Sequence, residues 1–160
     1  MGEQEKRLHR CCFTGHRPEK LPHDEAFYLE ALHRAIHDAI EAGYSTFITG
    51  MARGVDIWAA ELVLSFRRTN PDIHLICALP HPGFEQRWAM TWQRRYRAIL
   101  EAADLTRIIC PSFSMGSYQV RNEWMVDHSS LVSAVYNGEA GGTRNTLEYA
   151  KQQGVNIQYA

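Results

Sequence analysis

Short apolar runs alternate along the chain with longer stretches whose apolar residues recur at helical spacing, and glycine or proline marks most junctions. Residues 8–13 form a first apolar run that ends at Thr14-Gly15 and is followed by a proline turn. From 24 to 42, Phe27, Leu29, Leu32, Ile36, Ala39 and Ile40 share one helical face, with Asp24 placed to cap the start and Gly43 to stop the end. Residues 45–49 read as a β-rich strand running into Gly50, and 55–66 as a helix with Ile57, Ala60, Val63 and Leu64 inward. A third strand over 73–79 stops at Pro80 and Pro82, and the spacing of Trp88, Trp92, Tyr96, Ile99 and Leu100 predicts a helix over 85–103. A fourth strand, 105–110, precedes a Ser-rich loop (112–117) and a helix over 118–128. A strand over 131–136, a helix over 143–153 and a short strand over 155–158 complete the pattern.

Strands that alternate with helices of about ten residues or more imply β-α-β crossovers. The fold class is therefore α/β, with a mainly parallel sheet covered on both faces; such a sheet explains why the strands read as near-continuous apolar runs. No repeat, low-complexity segment or shift of composition divides the chain, and its 160 residues suit one domain spanning 1–160. Apolar residues at 45% and charged residues at 22% are globular values. The net charge of -1 gives no global field for wrapping nucleic acid or coating an anionic membrane. No apolar run approaches the roughly 18 residues of a membrane span, and the charged first ten residues lack the core of a secretory signal. Cys11, Cys12, Cys77 and Cys110 lie in apolar runs without a Cys-x-x-Cys pair, so reduced, buried thiols of a cytoplasmic protein are expected, with no metal site.

In open α/β sheets ligands bind beyond the carboxyl ends of the strands, which directs attention to five post-strand segments. Thr14-Gly15-His16-Arg17-Pro18 follows the first, and Gly50-Met51-Ala52-Arg53-Gly54-Val55-Asp56 the second. His81 lies after the third, Arg121 after the fourth, and Asn137-Gly138 with Gly141-Gly142-Thr143-Arg144-Asn145-Thr146 after the fifth. Two of these are glycine turns opening a helix, where free N–H groups and the helix dipole favour a phosphate. Neither is a Gly-x-Gly-x-x-Gly or a Walker A sequence, so nicotinamide cofactors and ATPase chemistry are not indicated, and no cofactor is expected.

Thr49-Gly50-Met51-Ala52-Arg53-Gly54-Val55-Asp56 resembles the Ser-Gly-x-Ala-x-Gly-(Ile/Val)-Asp motif of the DNA-processing protein A (DprA/Smf) family. Gly141-Gly142-Thr143-Arg144-Asn145-Thr146 is similar to the second glycine motif of the wider SLOG superfamily, which includes the LOG phosphoribohydrolases. Together with Thr14-Gly15-His16-Arg17-Pro18 and Tyr136-Asn137-Gly138, the set most closely resembles the small YpsA-like branch, over almost the whole chain. The resemblance implies a Rossmann-like three-layer α/β/α domain and a nucleotide-type ligand. Its ligand-binding residues would be Gly15, His16, Arg17, Gly50, Met51, Gly54, Asp56, Asn137, Gly138, Gly141, Gly142, Thr143 and Thr146.

LOG enzymes release a base from a nucleoside monophosphate with an Arg and a Glu. Arg121 falls at the family Arg, whereas Glu148 lies one position early, a rotation of about 100° on a helix. The expected catalytic pair, if hydrolysis occurs, is Arg121 and Glu148. Asp56 suits ribose hydroxyls or helix capping better than catalysis, because no partner acid or base adjoins it. Arg17, Arg53, Arg121 and Arg144 are candidate phosphate ligands. Trp88 and Trp92 at i, i+4 read as core, with Trp88 or Tyr118 the candidates for base stacking. Three functions follow: binding or sensing of a nucleoside phosphate or ADP-ribose-like molecule, nucleotide N-glycosidase activity, and single-stranded nucleic-acid binding. The lack of a Lys/Arg cluster weighs against the last. A homo-oligomer is compatible with the sequence, and a membrane partner is not expected.

Overall fold

The computed structural model describes residues 2–160. Its single sheet has six parallel strands: β1 (Arg10–Gly15), β2 (Thr46–Thr49), β3 (His74–Leu79), β4 (Leu105–Ile108), β5 (Leu131–Val135) and β6 (Asn156–Tyr159). The helices are α1 (Glu3–Arg7), α2 (Glu25–Glu41), α3 (Val55–Thr69), α4 (Met90–Ala102), α5 (Ser117–Asp127) and α6 (Gly142–Gln152), with a 3-10 turn at Pro18–Lys20. Strand order β4-β3-β2-β1-β5-β6 is a Rossmann-like arrangement. The chain builds outward from β1 to β4, then returns past β1 to lay down β5 and β6. The topological switch point therefore lies between β1 and β5, whose carboxyl ends open a crevice.

Alternation along the strands sorts the side chains into two cores. Cys11 and Phe13 of β1, Phe47 of β2 and Leu75, Cys77 and Leu79 of β3 pack with α2, α3 and α4. Cys12, Ile48 and Ala78 point the other way, to Met125 of α5 and Leu147 of α6. Burial raises the Cys12 and Cys77 thiols to about 12, which keeps them protonated and inert. Asp24 caps α2 by accepting from Phe27 N–H at 3.0 Å, and Gly43, at φ 101°, ends it as expected. Trp88 and Trp92 pack against the first core.

Three expectations change. The sequence predicts a helix from residue 85, but α4 begins at Met90: Gly83 holds φ 74°, and the chain stays in turns until Ala89. The sheet is not covered throughout, because β4 is an edge strand exposed at every residue. Finally, α1 arises in the charged amino-terminal segment, where Glu3 receives a hydrogen bond of 2.6 Å from Arg10.

The end of β1 and the start of α3 meet without clearance. A Cβ on Gly15 would lie 2.5 Å from Val55 Cβ, and Val55 is fully buried at the first position of α3. Gly15→Ala is therefore expected to cost about 1–3 kcal/mol by overpacking, read as a lower urea midpoint with an unchanged denaturant slope.

Candidate functional site

A cavity of about 390 Å³ opens over the β1/β5 crevice. Four segments wall it: Phe13–Arg17 at the end of β1 with Lys20 beyond, Ala52 in the β2 turn with Asp56 in the first turn of α3, one face of α5, and 139–143 leading into α6.

The α6 wall is backbone. Gly141, at φ 145°, takes a conformation that favours glycine and offers no capping side chain. The first-turn N–H groups of α6 have no intrahelical acceptor by construction, and Gly142 and Thr143 line the cavity. Arg17 and Lys20 line it too and add positive charge, whereas Glu139 adds a carboxylate beside the same loop. An added Cβ on Gly142 would meet nothing within 4 Å, and its φ is not positive. Nothing in the fold requires glycine there.

The α3 side differs from the expectation of a second open helix start. Gly54 holds φ 89°, and its Cβ would lie 2.9 Å from the His16 carbonyl and from Pro18 Cδ. The β1 loop thus covers the amino terminus of α3, and what α3 presents to the cavity is Asp56. This residue lies at the second position of the helix, so it is not the N-cap; its Oδ2 accepts from Ala52 N–H at 3.2 Å and fixes the preceding turn. Oδ1 is buried and has no hydrogen-bond partner among the described residues. Burial pushes the Asp56 carboxyl up to about 6, against the opposing pull of Arg121 and the Ala52 N–H.

Arg121 comes from α5 and is only 4% exposed. Its Nη1 donates to the Gly50 and Ala78 carbonyls beyond β2 and within β3, and its Nε donates to Asn122 Oδ1 at 2.8 Å. Gly50 provides the seat: a Cβ there would lie 2.8 Å from the guanidinium carbon. Met51 is fully buried at φ 64°, with Thr49 Oγ1 accepting its N–H, and supports this turn from below. No ion pair joins Arg121 to Asp56 among the described residues, yet both line the cavity. His16 accepts the Asn137 N–H through Nε2 at 3.1 Å, which requires a neutral ring, and burial lowers its pKa accordingly.

The structure thus brings Gly15, His16, Arg17, Asp56, Arg121, Gly141, Gly142 and Thr143 to one cavity. Gly50, Met51 and Gly54 shape the wall from behind. Asn137 holds the loops together, donating to the Lys20 carbonyl and accepting from Glu139 N–H, with Gly138 at φ 88° in the turn between. Thr146 is buried and donates to the Gly142 carbonyl within α6. Glu148 lies outside the cavity, 57% exposed in its side chain and 3.4 Å from Arg144. Arg53 is paired with Glu19 at 2.7 Å. Lys20, which the sequence reading left unassigned, lines the cavity as well, together with Asn122 beside Arg121 on α5 and Glu139 in the loop after β5. Tyr118, and not Trp88, is the candidate stacking ring that reaches the cavity.

The folded chain holds the Asp56 proton more tightly than the unfolded chain does, at about 6 against an ordinary 3.8. The stability from this proton is complete below pH ~4 and is lost as pH rises through ~6. Asp56→Asn is therefore expected to flatten the pH dependence of urea unfolding. Its advantage over the parent chain should grow to about 3 kcal/mol above pH 7.

Residues 11–160 match the model of YpsA, the YspA SLOG family. The SPbeta prophage-derived protein YoqJ of Bacillus subtilis is 35% identical over 118 residues, covering 66% of this chain and 69% of that one. The UPF0398 protein SERP1017 of Staphylococcus epidermidis is 30% identical over 119 residues, covering 72% of this chain and 63% of its own length. This chain thus spans less than two thirds of that relative. DNA processing protein A from Helicobacter pylori, whose structure was described for its single-stranded DNA binding mode, superposes with a TM-score of 0.66. That match covers 98% of this chain and 66% of the other at 17% identity, a likeness of fold. The family match spans both glycine loops and every wall of the cavity, and the chain belongs to the YpsA branch of the SLOG proteins.

Proposed function

We propose that the cavity binds a nucleotide-derived small molecule, a nucleoside phosphate or an ADP-ribose-like compound, and that the chain is a cytoplasmic single-domain binding or sensing module. The observation that carries this reading is the presence, in one cavity, of the α6 first-turn amides, Arg17 and Lys20, and a buried carboxylate with one oxygen unpartnered among the described residues. Amides and cations suit a phosphate; an acceptor-only carboxylate suits hydroxyl donors. Binding is favoured over base-releasing hydrolysis because Glu148 pairs with Arg144 outside the cavity.

One observation supports single-stranded nucleic acid as a second reading. Phe113 and Tyr118, 61% and 41% exposed, pack edge-on against the same His81 ring, and Tyr118 lines the cavity. Exposed rings of this kind stack bases without regard to sequence. Tight, salt-sensitive gel shifts of oligonucleotides at low salt would favour it.

Calorimetry and thermal unfolding with AMP and ADP-ribose test the main reading. Ligand at about a hundred times its Kd should stabilise the fold by about 2.7 kcal/mol, and the absence of binding by any nucleoside phosphate or ADP-ribose species would reject it. Gly142→Ala separates ligand from fold. The variant should be as stable as the parent chain or up to ~1 kcal/mol more stable, yet bind more weakly as a methyl group intrudes on the amides.

A further inference from the structure

Resting on the reading that the cavity takes a nucleotide-derived ligand, we propose that Asp56 is its sugar-reading residue, accepting hydrogen bonds from a ribose diol and thereby selecting ribonucleotides over deoxyribonucleotides. The assignment follows from what each wall can accept. A phosphate at Asp56 would set acceptor against acceptor and anion against anion, so it belongs with the α6 amides, Arg17 and Lys20. A base needs a flat apolar surface; of the rings lining the cavity, Phe13 is fully buried and His16 is engaged by the Asn137 N–H and stacked on Tyr136, which leaves Tyr118, 41% exposed. Between base and phosphate lies the sugar, and among the described residues that line the cavity Asp56, 6% exposed, is the buried one with an unpartnered side-chain oxygen, Oδ1.

Arg121 makes a carboxylate workable at that depth. Its charge favours the ionised form of Asp56, while its Nη1 is held by the Gly50 and Ala78 carbonyls and does not consume the Asp56 oxygens. Asp56 Oδ2 is tethered to Ala52 N–H, so the carboxylate is oriented before any ligand arrives. A diol presents two donors on adjacent carbons. One would satisfy Oδ1, and the other would share Oδ2, which has a lone pair to spare. Removing the 2′-hydroxyl leaves part of that acceptor capacity unmet in a buried site, which is costly.

Calorimetric titration of the intact protein with AMP and 2′-deoxy-AMP, and with ribose 5-phosphate and 2-deoxyribose 5-phosphate, tests the assignment. The deoxy member of each pair should bind ~10- to 100-fold more weakly, the range for a hydrogen bond to a charged group. The Asp56→Asn variant, isosteric and able to keep its contact with Ala52 N–H, should bring each pair within ~3-fold, while the parent-chain comparison needs no variant to fold. Equal affinity within each pair in the parent chain would overturn the sugar-reading role and leave nucleotide binding intact. Undiminished discrimination in Asp56→Asn would overturn the assignment to Asp56. No binding of either nucleotide or either sugar phosphate would instead overturn the underlying reading, and the sugar-reading role with it.

Discussion

Two buried charges of opposite sign that do not touch govern this cavity. An isolated buried ion is costly, and direct pairing is the usual remedy. Here both are compensated only in part: Arg121 by the Gly50 and Ala78 carbonyls, with burial still lowering its pKa, and Asp56 by one N–H and the pull of the guanidinium. The shortfall appears as a carboxyl raised to about 6 and an oxygen without a partner. An asparagine at position 56 could tether the turn without that penalty, so the local fold gives no reason for a carboxylate. A group whose charged form the surrounding fold disfavours, and that is well placed for a donor arriving from outside, is the pattern expected of binding sites.

The sheet topology explains why the two charges can be held apart. Because β5 is laid down on the far side of β1, the loops after β1 and β5 diverge and leave a crevice between them. The tight contact of Gly15 with Val55 closes one side of it, setting α3 against the end of β1 and carrying Asp56 to the floor. On the other side, α5 returns beneath the β2 turn, so that Arg121 reaches a carbonyl just beyond β2 and one within β3 from a helix that follows neither strand. The three pieces are remote in sequence and depend on one crossover.

That dependence marks the limit of what the sequence could show. The strands, the caps at Asp24 and Gly43 and the glycine-opened α6 are local features, recorded in side-chain period and turn chemistry, and were legible. The buried stripe of α5 was not, because Ser117 and Arg121 share it with Met125, so the inward face reads as polar. The start of α4 was hidden because Trp88 packs inward from a turn and mimics the helical spacing that Trp92 and Tyr96 continue. The exposure of β4 depends on which helices lie over the sheet edge, which no residue of β4 encodes. In the site, the loops were legible as ligand-facing, whereas two expected guanidinium groups, Arg53 beside Glu19 and Arg144 beside Glu148, do not line the cavity.

The two glycine turns show how such a motif divides into structure and function. In sequence they look alike, each a glycine ahead of a helix. In the fold, Gly54 is enclosed: a side chain there would strike the His16 carbonyl and Pro18, and its φ of 89° excludes most residues in any case. Gly142 faces open space with an ordinary backbone conformation. What a missing Cβ would have met therefore separates a glycine required by packing from one that leaves room for something outside the chain. By that criterion the β2 turn is scaffolding that delivers a carboxylate, whereas in the β5 turn Gly141, at φ 145°, serves the backbone and Gly142 leaves the surface that the proposed anion would use. On the proposed reading, a cavity with a donor-seeking floor and an acceptor-seeking rim suits a molecule whose own polarity runs the opposite way, as that of a ribose phosphate does.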